Sequence, residues 1–104
     1  MYINLFPPQI LSFFSFQWFS KQFTNDYLSN YVKQGEAIRV KVFSQDHDEL
    51  DVVLKIVKDA RAVITKGWTK VVKALHMKEG SIWAFRFSNF DDNQKIFCLS
   101  LYRL

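Results

Sequence analysis

A chain of 104 residues has room for one folding unit, since domains commonly run to about 100–200 residues. Its content of 49% hydrophobic and 17% aromatic residues, eleven of them Phe, fills a real core and points to a compact barrel or sandwich. The single cysteine, Cys98, excludes an internal disulfide and fits a reducing compartment, three glycines exclude a glycine loop that cradles phosphate, and the net charge is a modest +4.

Residues 1–19 are largely apolar, but Pro7 and Pro8 interrupt the run and no Lys or Arg precedes Lys21. It falls short of the roughly 18 uninterrupted apolar residues of a membrane span, so neither a signal peptide nor a transmembrane helix is expected. Residues 2–6 read as a loose or edge-pairing extension before a strand at about 11–18. Thr24 then suits the N-cap of a short helix, with Asp26 at its positive end and Phe23, Tyr27, Leu28 and Tyr31 on its buried side, and Gly35 ends it.

Strict alternation marks the next two strands. Ile38, Val40 and Val42 alternate with Arg39 and Lys41, and Leu50, Val52, Leu54 and Ile56 alternate with Asp51, Val53 and Lys55. Polar residues 44–49 connect them. A further strand ends in Gly67-Trp68, where a residue without Cβ lets the chain turn sharply. Trp68, Val71, Val72 and Leu75 fall at i, i+3, i+4 and i+7, giving a two-turn helix with one apolar stripe that leaves Lys70 and Lys73 outside. Gly80 turns the chain into residues 81–87, where Trp83, Phe85 and Phe87 share a face, and residues 89–94 separate this strand from a last one at 96–101. Trp68, Val71, Val72, Leu75, Trp83, Phe85, Phe97 and Leu99 are expected in one core, with Cys98 a buried thiol.

The string Ile64-Thr65-Lys66-Gly67-Trp68-Thr69-Lys70-Val71-Val72, followed by Leu75, Gly80 and Trp83-Ala84-Phe85, resembles the plant B3 DNA-binding domain, of the REM-like kind. The likeness covers residues 13–104, with Phe23-Thr24-Asn25-Asp26-Tyr27-Leu28 similar to the family's first short helix. It implies a mainly β fold, a seven-stranded open β-barrel (pseudobarrel) with two short helices, preceded by an N-terminal extension over residues 1–12. It also implies a transcriptional regulator in the nucleus that binds double-stranded DNA by two arms in the major groove. One arm lies between the first strand and first helix, the other in the hairpin before Gly67-Trp68.

The charge distribution agrees with the second arm. Residues 53–78 carry Lys55, Lys58, Arg61, Lys66, Lys70, Lys73 and Lys78 against Asp59 alone, so the whole excess lies there. Such a stretch attracts phosphates and releases their counterions, although a solvated lysine-rich face has the same composition. By the resemblance, Lys55, Lys58 and Lys66 contact phosphates, while Arg61 reads a base edge through two hydrogen bonds to guanine O6 and N7. The first arm is shorter than is usual in the family, and Ser15, Gln17 and Lys21, with Ser20 and Gln22, are its only donors; Trp18 and Phe19 read as core.

No catalytic, metal or cofactor site is expected. His47 and His76 lack further ligands at metal spacing, and Asp46, Asp48, Glu49 and Asp51 lack the glycine and terminal Glu of a calcium loop. The competing class is a protein-interaction module of the same fold that has lost specific DNA binding, its exposed aromatics meeting a protein partner or forming a homodimer.

Overall fold

The computed structural model describes residues 2–5, 16–45 and 47–104. These form β1 (Tyr2–Leu5), β2 (Gln17–Trp18), α1 (Lys21–Asp26), a 3-10 turn over Leu28–Asn30, β3 (Ala37–Ser44), β4 (His47–Ile56), β5 (Ala62–Ile64), α2 (Trp68–Ala74), β6 (Ile82–Asp91) and β7 (Ile96–Arg103). The strands make one sheet in the order β1-β6-β7-β3-β4-β5-β2. Neighbours are antiparallel except β3 and β7, which run parallel in the middle.

Alternation sets the inside of this sheet. Ile38, Val40 and Val42 of β3, Val52, Leu54 and Ile56 of β4, Trp83, Phe85 and Phe87 of β6, and Phe97, Leu99 and Leu101 of β7 are all buried in one cluster. The sheet curls around it until its two edges, β1 and β2, face each other. Rings rather than backbone hydrogen bonds span that gap. Tyr2 of β1 meets Phe19, just after β2, with ring centroids 5.0 Å apart, and Phe19 also packs on Phe23, Phe85 and Phe87. The seven-stranded open barrel with two short helices is therefore the observed fold.

β1 pairs with β6 at the sheet edge, Tyr2 opposite Phe85 and Leu5 opposite Ile82. Of the strand expected at 11–18, only Gln17–Trp18 is observed; residues 11–15 lie outside the described residues, as does most of the extension over 1–12.

Position 67 shows why the Gly-Trp pair is needed. Gly67 has φ +89°, and a Cβ there would strike the backbone oxygen of Asp51 and lie 3.2 Å from Val52 Cγ1. The chain thus crosses β4 at backbone contact before α2 begins. That crossing delivers Trp68, 1% exposed, into the core, where its ring lies 5.9 Å from that of Phe85. Val71 and Val72 follow it inside, and Leu75 packs half-buried against the same cluster. Among the described residues no helix is long and apolar enough to cross a membrane.

Two expectations need correction. The N-cap of α1 lies four residues before the expected one, because Ser20 is extended at φ −64°, ψ 157° and its Oγ accepts from Phe23 N–H at 3.1 Å. Asp26 consequently ends the helix rather than sitting at its positive end. Cys98 is only half-buried, since it stands in register with Lys41 and Ser88 on the outer side of the sheet.

Thr24, freed from capping, has another use. It is 2% exposed, and its hydroxyl donates to Ser20 O at 2.8 Å while accepting from the backbone N–H of Ala62 at 3.0 Å. The carbonyl of Ala62 accepts from Phe19 N–H at 2.9 Å. Both polar groups of Ala62 are therefore satisfied by the segment leading into and through α1.

Two substitutions test this packing by urea unfolding. Trp68→Ala is expected to cost about 3–5 kcal/mol, as for other fully buried aromatics. Thr24→Val keeps the shape but leaves a buried N–H without its acceptor, an expected loss of about 1–3 kcal/mol, whereas Thr24→Ser should regain most of it. A Thr24→Val protein as stable as the parent would show that the hydroxyl bridge contributes nothing.

Candidate nucleic-acid interface

The hairpin between β4 and β5 is built by its own backbone. Val57 N–H donates to Arg61 O at 3.0 Å and Ala60 N–H to Val57 O at 2.9 Å, and Ala60 takes the left-handed conformation at φ 69°. This is the geometry of a short turn closed by a left-handed residue. Lys58 is exposed at its tip. Asp59 and Arg61 bond to each other across it: Arg61 Nε donates to Asp59 Oδ2 at 2.8 Å, Nη2 lies 2.8 Å from the same oxygen, and the Arg61 backbone N–H donates to Asp59 Oδ1 at 3.2 Å.

Arg61 also reaches the first arm. Its guanidinium carbon sits 4.6 Å from the centroid of the Trp18 ring, within cation–π range. The Asp59 carboxyl is held below its ordinary pKa, first by the side-chain hydrogen bond from Arg61, then by its backbone N–H and charge and by the charge of Lys21, against a desolvation that acts the other way. Lys21, exposed at the start of α1, thereby belongs electrostatically to the hairpin tip.

Register adds Lys55. Trp18 is opposite Val63, Val63 opposite Lys55, and Lys55 opposite Ala37, so Trp18 and Lys55 share the outer face with one strand between them. At about 4.8 Å per strand, that puts them roughly 10 Å apart. The structure thus gathers Lys21, Lys55, Lys58 and Arg61. Lys66 is exposed but stands beyond the far end of β5, where its carbonyl accepts from Val53 N–H at 3.1 Å, on the side of α2 with exposed Lys70 and Lys73. Among the described residues, none of the lysines from Lys55 to Lys78 is ion-paired.

The first arm departs from expectation. Gln17 is 3% exposed, opposite Ile64 in the inward-facing register, and its Nε2 donates to Trp18 O at 2.9 Å, so it offers nothing to a groove. Ser15 lies outside the described residues. Trp18, expected in the core, is 40% exposed and supports Arg61, whereas Phe19 is buried as expected. A two-residue strand explains the exchange: neighbours point to opposite faces, so burying Gln17 turns Trp18 outward. Asp59 and Trp18 are the residues of the candidate interface that sequence reasoning missed. The Asp-x-Arg spacing in a turn was the available signal for the first, and nothing local signalled the second.

His47 and His76 are exposed, and among the described residues no three His, Cys, Asp or Glu side chains cluster as a metal site.

No protein-family model matches the chain. A B3 domain-containing protein of rice (Oryza sativa subsp. japonica) is 28% identical over 74 residues, 71% of this chain and 81% of the rice protein. Among solved structures, a hypothetical Arabidopsis thaliana protein superposes with a TM-score of 0.64 at 17% identity, covering 97% of this chain and 87% of the other. The Arabidopsis FUS3-DNA complex superposes with a TM-score of 0.56 at 13% identity, covering 96% of this chain and 93% of the other. Curated relative and solved folds agree with the motif around Gly67-Trp68: the chain resembles B3 domains in sequence and has their pseudobarrel fold.

Proposed function

We propose that this domain binds double-stranded DNA through the β4–β5 hairpin and the start of α1, and that it does so in the nucleus as a non-enzymatic regulator of transcription. The observation that carries the reading is the meeting of the two arms: Arg61 of the hairpin lies over the Trp18 ring, and the charge of Lys21 acts on Asp59 at the hairpin tip. The only acid in the basic stretch, Asp59, is already occupied by Arg61, so the lysines face outward without internal counter-charges among the described residues. The fold is shared with a protein whose solved structure is a DNA complex.

In this reading Lys21, Lys55, Lys58 and Lys66 neutralise phosphates, which positions the protein without selecting sequence. Arg61 alone among the tip residues has the planar fork that distinguishes guanine. With Gln17 turned inward, the described part of the first arm adds one cation, Lys21, to the grip. Affinity is therefore expected nearer the non-specific range, about 10⁻⁴–10⁻⁶ M at physiological salt, than the specific one.

A second reading has its own observation. On the outer face, Ile3 and Tyr102 flank Ala84 in register, with Ile82 and Phe43 exposed nearby, an apolar strip away from the lysines that suits a protein partner or a second copy of the chain. A domain that dimerises at micromolar concentration in sedimentation and ignores duplex DNA at low salt would select it.

A salt-dependent titration against a pool of random duplexes, followed by selected ones, tests the DNA reading. Lys58→Ala should weaken binding to all duplexes alike and lower the salt slope by about one unit. Arg61→Ala should instead lose preference between sites, by about 1–3 kcal/mol for a bidentate guanine contact. An Arg61→Glu protein that binds duplexes as well as the parent at low salt would remove the hairpin from the interface.

A further inference from the structure

We propose that Asp59 and Trp18 are positioning residues that hold the Arg61 guanidinium in a fixed plane with its outer fork free for guanine, an inference that rests on the DNA-binding reading above. A guanidinium carries five N–H donors in one plane. Asp59 Oδ2 takes Nε–H at 2.8 Å and lies 2.8 Å from Nη2, so two donors on one edge of the plane are engaged. Three remain, two on Nη1 and the outer one on Nη2. The pair that points forward across Nη1 and Nη2 has the spacing of guanine O6 and N7.

Trp18 removes the remaining freedom. With the guanidinium carbon 4.6 Å from the ring centroid, the plane cannot swing about the Asp59 contact without leaving the π face. Both supports are themselves fixed. Asp59 Oδ1 accepts from the Arg61 backbone N–H at 3.2 Å, and Trp18 is held in register opposite Val63. The ordering of a long side chain is thereby completed on folding rather than on binding, which is how preorganisation raises selectivity.

An acid beside a phosphate-facing surface has a simpler effect as well: its charge repels every duplex equally. Only positioning changes the ratio of affinities between duplexes, so the two effects can be separated. Asp59→Ala and Asp59→Asn remove the same charge, but the Asn amide oxygen still accepts from Nε–H. The parent, both variants and Trp18→Ala are titrated against a duplex selected by the parent and against its scrambled version, at several salt concentrations. The Arg61 Nε–H resonance is followed by NMR in the free proteins.

Both Asp59 variants should bind the scrambled duplex more tightly than the parent does. Asp59→Ala should lose the ratio of selected to scrambled affinity by about tenfold, with a weakened or exchange-broadened Nε–H signal, while Asp59→Asn keeps most of both. Trp18→Ala should lower the ratio with the salt slope unchanged. Equal ratios for Asp59→Ala and the parent, with the Nε–H signal lost, would overturn the positioning role while leaving DNA binding intact. Equal losses in the Ala and Asn variants would reduce Asp59 to a charge and overturn it too. A parent that binds all duplexes equally would overturn the guanine-reading role of Arg61 and the positioning proposal with it, whereas one that binds none would defeat the DNA reading itself.

Discussion

Ala62 is gripped on both sides of its backbone by the segment that enters and forms α1, and the geometry of the candidate interface depends on that grip. Its carbonyl takes the Phe19 N–H and its N–H gives to the Thr24 hydroxyl. β2 pairs with β5 at only Gln17 and Trp18, too short a ladder to hold an arm by itself. The Ala62 contacts extend the attachment past Trp18 into α1, and because Ala62 directly follows Arg61 they fix the base of the hairpin in the same step. Trp18 and Arg61 meet because their chains are tied together one residue away.

Closure of the barrel poses the complementary requirement. A curled sheet with two free edges has to cover its core at the gap, and backbone pairing between β1 and β2 does not do so here. Aromatic rings do it instead, in a chain from Tyr2 through Phe19 to Phe85 and Phe87. Rings contact over several ångströms and tolerate changes of angle, so such a seam accommodates an edge strand as short as β2. α2 closes the other open side, and it can approach β4 so nearly only because position 67 carries no Cβ.

Sequence reasoning captured what repeats. Period two gave the inward residues of β3, β4, β6 and β7, and period 3.6 gave Trp68, Val71 and Val72 of α2, because long faces leave many chances for the pattern to register. The hairpin with Lys58 and Arg61 came from the B3 resemblance instead, because the three residues of β5 are too few to show a period. The pattern failed where elements are short. Two residues of β2 cannot show a period, so Trp18 was read as core and Gln17 as a donor, the reverse of their observed burial. α1 was misplaced because Ser20 and Thr24 are both good caps, and the choice was made by Ala62, 38 residues further on. The Asp59–Arg61 contact was local enough to be read from spacing, but the role of Trp18 was set wholly by tertiary register.

Charge at the interface divides by reach. Arg61 is largely offset by Asp59, so on the proposed function long-range attraction comes from the lysines and Arg61 acts only at contact. At physiological salt the screening length is about 8 Å, which makes Lys21 and Lys58 one unit with the tip. Lys66 is a separate one, because five extended residues from Arg61 at about 3.3 Å each put it roughly 16 Å along β5. A major groove is about 12 Å wide between its phosphate walls. A hairpin tip lowered into the groove at Arg61 would therefore leave Lys66 beyond the groove wall, over the backbone of one strand, with Lys58 and Lys21 near the other. On the proposed function, the displacement of Lys66 from the tip would give it a phosphate contact separate from those of Lys58 and Lys21.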